Sequence, residues 1–205
     1  MTENSPDEGS ESTGESDDST GGNDDSTGRS NVASVAARDE LAGVVDLFGA
    51  LTREELSRAL AELAFKRRTE VNEAAITAAI DAGVAEYYLV AAPDEAVEAG
   101  GDRDEAVEAG GDRDEGFLAV GPAAFPTLPA NATDLPHILD VPDREVDRER
   151  LADVVRGRLR DDALDAISDG SDDRLETLVD VTYDLEAWAP VDASPIRDRL
   201  VDEIE

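Results

Sequence analysis

The chain has 205 residues, enough for one domain or two small ones. Its 51 acidic and 18 basic residues leave a formal charge of −33, and 40% hydrophobic residues with only 4% aromatics require a core of Ala, Val, Leu and Ile. With no cysteine, the sequence excludes disulfides, thiolate metal sites and a cysteine nucleophile.

Residues 1–33 are nearly all Ser, Gly, Asp, Glu, Thr and Asn, with Arg29 their one base and Val32 their first Val, Leu or Ile. Nothing in them offsets the entropy of ordering, so they are predicted to form a disordered, solvating tail. Met1–Thr2–Glu3–Asn4–Ser5 carries no positive region and no apolar stretch follows, so no signal peptide is expected. No run approaches the roughly 20 apolar residues of a membrane span. The expected location is the cytoplasm, and the glycosylation pattern Asn131–Ala132–Thr133 is read as chance. The remaining 172 residues still carry −25, a charge that repels itself unless salt screens it. The Debye length falls to about 3 Å at 1 M salt, so the composition points to a cell with molar internal salt.

A first helix is predicted over about Ser34–Phe48, with Leu41, Val44, Val45 and Phe48 on one face and Gly49 at its end. A second begins after Thr52, whose capping box is completed by Glu55 and whose staple pairs Leu51 with Leu56. It presents Leu56, Leu60, Leu63 and Ala64 and ends at Lys66–Arg67–Arg68, where positive charge suits the helix dipole. A third helix starts at Asn72, with Val71 and Ile76 as staple, Ile76, Ala79, Ile80 and Val84 inward, and Gly83 at its end.

Tyr87–Ala91 and Phe117–Val120 read as two strands of a hairpin. Between them the ten residues DEAVEAGGDR occur twice in succession, Asp94–Arg103 and Asp104–Arg113. Two copies are too few for a solenoid, so the segment is predicted to be a duplicated, exposed, acidic hairpin tip. Prolines 122, 126, 129, 136 and 142 then mark an ordered crossing, with Phe125, Leu128, Leu135, Ile138 and Leu139 interspersed. Three more helices follow. The first has a Val146–Leu151 staple and a face of Leu151, Val154, Val155 and Leu159. The second is capped by Ser171 and presents Leu175, Leu178 and Val179. The third has Ser194 as cap, Pro195 at its first position, and Ile196, Leu200 and Ile204 on one face.

The expected fold is therefore mainly α with one β-hairpin: a three-helix unit with hairpin over residues 34–122, its long loop at 93–116, then a Pro-rich crossing and C-terminal helices over 123–205 that pack on it or stand apart. Helix–helix–helix–strand–loop–strand resembles a winged helix-turn-helix, in which the third helix reads a major groove and the hairpin is the wing. That third helix, Asn72–Asp81, has no Lys or Arg, and Thr77 is its one uncommitted base reader. Candidate nucleic-acid contacts are thus Lys66, Arg67, Arg68 and Thr77, with Lys66–Arg68 more readily read as a helix-end charge complement. Arg103 and Arg113 in the loop sit among acids that repel phosphate. His137 is the only histidine and cannot build a His-based metal cluster alone; it remains a candidate general base in a constrained segment. No P-loop, dinucleotide fingerprint or EF-hand loop is present, so no cofactor or metal is expected. Trp188 reads as a packing anchor, and one of the adjacent Tyr87 and Tyr88 is expected to face outward, toward a partner.

Gly121–Pro129 (GPAAFPTLP), Asp134–Pro142 (DLPHILDVP) and Tyr183–Pro190 (YDLEAWAP) together resemble an uncharacterised protein family of halophilic archaea, carried as a domain of unknown function. The resemblance spans about Leu51–Leu200 and implies a salt-adapted, intracellular protein with no activity attached. The function expected is a non-enzymatic binding module with a protein partner. The alternatives are a winged-helix nucleic-acid-binding regulator, an enzyme centred on His137, and a homodimer formed through the C-terminal helices.

Overall fold

The computed structural model describes residues 24–70, 72–99 and 116–204. Helix α1 runs Asp24–Asp46 and is followed by strand β1, Ala50–Thr52, helices α2, Arg53–Arg67, and α3, Glu73–Ala85, and strand β2, Leu89–Ala92. A 3-10 turn at Asp94–Ala96 leads into β3, Val97–Ala99, and β4 is Phe117–Val120. Then come α4, Leu135–Leu139, β5, Arg144–Val146, α5, Arg148–Asp169, α6, Asp172–Trp188, and α7, Ser194–Ile204. The chain is mainly helical, with a small antiparallel sheet.

The start of α1 lies ten residues before the expected Ser34; the rest of the expected tail is outside the described residues. Once Leu41–Phe48 are packed, adding helical residues N-terminally needs no new nucleus. The α2 cap is as read: Thr52 Oγ1 accepts from Glu55 N–H at 3.1 Å and Glu55 Oε2 accepts from Thr52 N–H at 2.8 Å. Leu51 and Leu56 are both fully buried. Asn72 caps α3 through the Ala75 N–H, whereas Val71 lies outside the described residues. Gly83 does not end α3. The helix runs on to Ala85, and a Cβ on Gly83 would stand 2.9 Å from Leu41 Cδ2 and 3.5 Å from Leu89. It is a close-packing position between α3, α1 and β2, a role that sequence punctuation does not distinguish from a cap.

Strand β4 is central, antiparallel to β1 on one side and β2 on the other. The side chains alternate. Leu51, Leu89 and Leu118 join α1, α2 and α3 in one core, while Val90, Ala92 and Ala119 join α5, α6 and α7 in a second. The sheet is thus covered on both faces, and the C-terminal helices sit against it. Tyr87 and Tyr88 precede β2 rather than lie in it. Tyr87, at φ +63°, is fully buried, while Tyr88 is half-buried beneath Arg38.

The expected free hairpin tip is corrected in part. Its first six residues, Asp94–Ala99, are held by the body of the protein, β3 pairing with β5 and Ala96 fully buried; residues 100–115, including Arg103, Arg113 and the second repeat copy, lie outside the described residues. Neither the short β1 nor β5 was expected, since three residues give too short an alternation to register. Val154 is exposed rather than on the buried face of α5, and Ser194 is the first residue of α7 rather than its cap, its N–H donating to Asp192 Oδ1 at 3.0 Å.

Two features lock the crossing onto the first unit. Thr127 N–H donates to the Asp39 carbonyl at 3.0 Å, and a Cβ on Gly43 would stand 2.2 Å from the Thr127 carbonyl oxygen. Beyond it, Arg144 is buried and bidentate on Glu55, at 2.7 and 2.8 Å, donates to the Ala50 carbonyl at 2.8 Å, and lies 4.7 Å above the Phe117 ring. Gly49, at φ +75°, passes beneath the Arg144 carbonyl so closely that any Cβ would collide with it.

Candidate binding groove

Helices α1, α2 and α3 cannot close completely over their shared core. Leu60 and Ala64 on α2 and Ala75, Ala79 and Ala82 on α3 are only partly covered, and Ala is too short to bridge to the next helix. The result is a groove of about 440 Å³. Leu41, Val44, Leu63 and Ile76 form its floor and Pro129 of the crossing closes one side. Arg38, Glu40, Arg67 and Thr69 supply its polar rim.

The rim is internally neutralised. Arg67 donates through both terminal nitrogens to Glu40 Oε2 at 3.2 Å. Arg38 pairs with Glu86 and lies 5.8 Å from the Tyr88 ring. Burial first, and then the negative charge of Asp39, push the Tyr88 hydroxyl above its ordinary pKa, so it is a neutral donor at any ordinary pH.

Of the four residues selected from sequence, Arg67 alone lines the groove. Lys66 turns toward the crossing, 3.5 Å from the Asn131 carbonyl and 3.9 Å from Asp134. Arg68 adopts the left-handed conformation that ends α2, its N–H donating to the Phe65 carbonyl at 3.0 Å, and is exposed. Thr77 stands on the outer face of α3 with Ala74, Ala78 and Asp81, all exposed. The groove itself was missed in sequence. The signal available was the run of alanines in α3, in register with the Leu60–Ala64 turn of α2.

His137 is exposed on α4 and lines neither this groove nor the smaller one between α6 and α7. Trp188 ends α6, half-buried against the second core with the Arg148 guanidinium 5.6 Å from its ring. Among the described residues no group of three or more His, Asp or Glu side chains is placed to hold a metal ion. No described helix is long and apolar enough to cross a membrane.

Residues 39–205 match a family model described as "Family of unknown function (DUF7109)". No curated protein and no solved structure matches the chain.

Proposed function

The chain belongs to this family of unknown function, and from that premise we propose that it is a non-enzymatic docking module whose α1–α2–α3 groove receives an amphipathic helix of a partner protein. The observation that carries this reading is the groove: an apolar floor between three helices, walled on α3 by alanines that let a helix backbone come close. Its rim charges are already paired, so the occupant is selected by shape and apolar contact, the kind of contact that survives at molar salt. A salt-adapted cytoplasm fits the charge of −33.

The order α1–β1–α2–α3–β2–β4, with β4 central in the sheet, supports a winged-helix reading of the N-terminal unit. A nucleic-acid regulator is the second reading, favoured only by the exposed Arg68 at the end of α2 and the exposed Thr77 on α3. The acids Glu73 and Asp81 on that helix oppose it.

The test is affinity purification of the full chain at molar KCl, with and without nuclease, beside the variant Ala79→Glu. Residue 79 is exposed on the groove wall, so the variant should melt like the wild type. The reading expects a protein that survives nuclease and is lost with Ala79→Glu. Retention by the variant, or recovery of nucleic acid alone, would overturn it.

A further inference from the structure

Two successive copies of DEAVEAGGDR lie between β2 and β4, and the structure shows what the first half of one copy does. The Ala96 carbonyl accepts the Asp147 N–H at 2.8 Å, and the Glu95 carbonyl accepts from Arg150 at 2.7 Å. The Ala96 methyl is fully enclosed, and Val97 packs against the second core. Val97, Glu98 and Ala99 face Val146, Glu145 and Arg144 in antiparallel register. Every one of these contacts reads a backbone group, an alanine or a valine. The second copy offers the same groups in the same order, from Glu105 to Ala109.

We propose that the edge of β5, with Asp147 and Arg150, is a binding site for the segment Glu-Ala-Val-Glu-Ala which either repeat copy of the same chain can occupy, one replacing the other by a slip of one repeat. The chain lengths allow it. With the first copy docked, 17 residues separate Ala99 from Phe117; with the second, seven separate Ala109 from Phe117. The docked strand ends opposite Arg144, whose guanidinium lies 4.7 Å above Phe117, and seven extended residues reach about 25 Å. On the other side, the displaced first copy becomes a longer loop after β2, at little entropic cost.

Two further features set the balance. Pro93 precedes the first copy where Arg103 precedes the second, and its fixed φ favours the first. Glu98 directly faces Glu145, a like-charge pair that weakens the strand and keeps it exchangeable; Glu108 would reproduce it.

The chain has no cysteine, so paired cysteines report the register directly. Glu98 and Glu145 are both exposed, and substitution there leaves the core untouched. Glu98→Cys/Glu145→Cys and Glu108→Cys/Glu145→Cys are oxidised in molar KCl, and the products are sized and mapped by peptide mass. Both are expected as intramolecular crosslinks, the second forming more slowly. Ala96→Asp puts a carboxylate in the enclosed position; it should raise the initial rate of the 108–145 crosslink by about tenfold, and Ala106→Asp should abolish that crosslink. The melting temperature should fall markedly only in the double variant Ala96→Asp/Ala106→Asp. Absence of the 108–145 product, its appearance only as a dimer, or a single Ala96→Asp as unstable as the double variant would overturn the proposal.

Discussion

Arg144 shows how one buried charge is made tolerable. Its side chain and that of Glu55 are 5% and 14% exposed, and together they satisfy the Ala50 carbonyl and the Thr52 N–H of the α2 capping box. Arg144→Ala would leave the Glu55 carboxylate buried and half-paired, at a cost of about 3 kcal/mol measured by denaturant unfolding in molar salt. Burial pushes Glu55 upward, but hydrogen bonds from Arg144 and from the Thr52 N–H, with the Arg144 charge, outweigh it and hold the carboxyl below its ordinary value of 4.5. A carboxylate lowered on folding stabilises above its unfolded pKa and loses that contribution as pH falls through the folded one. The stability difference between wild type and Glu55→Gln should therefore be constant above about pH 5 and shrink below it. Taking the difference removes the general relief of repulsion as the other carboxylates protonate. Thr52 and Glu55 were readable as a pair because a capping box is local. Arg144 was not, because its partner is 89 residues away in a segment that reads only as Pro-rich.

At the scale of elements, the joint between the sheet and the C-terminal helices rests on Tyr87. Its ring is fully buried, its hydroxyl donates to Asp162 Oδ2 at 2.7 Å, and the Arg158 guanidinium lies 4.1 Å from the ring. Burial first, and then the hydrogen bond to Asp162, keep the hydroxyl protonated well beyond its ordinary range. Arg174 reaches the same carboxylate oxygen at 3.2 Å, so α5, α6 and the turn before β2 meet at one atom. Tyr87→Phe is expected to lower the urea midpoint by an amount equivalent to about 2 kcal/mol, with no change in helix content by circular dichroism. The helices themselves were legible from their apolar spacing and caps: Leu151, Val155 and Leu159, or Leu175 and Leu178, are buried as that spacing predicts. Their docking was not, since Tyr87 and Asp162 are 75 residues apart and neither stands out among its neighbours.

Over the whole molecule, charge sets the conditions under which these contacts suffice. The formal charge is −33, and acids are dense on α6 as well as in the N-terminal segment. Among the described residues the exposed ion pairs, Arg58–Glu54 and Arg160–Asp161 among them, are individually weak, so they do not offset the repulsion. The melting temperature should rise steeply between about 0.1 M and about 3 M KCl as the Debye length shortens; an unchanged circular dichroism melt across that range would contradict it.

The sequence by itself determined what depends on neighbours along the chain: the class of fold, the longer helices, the Thr52 and Asn72 caps, β4, and the acidic composition. The tertiary structure alone decided where those elements meet. It turned Gly83 from a stop into a packing surface, Arg144 into a clasp, half of the repeat into a strand, and three alanine-walled helices into a groove. Periodicity and capping are local properties of a segment. A groove, a buried ion pair and a shared sheet edge exist only between segments, and their energies depend on distances that one chain's pattern does not contain.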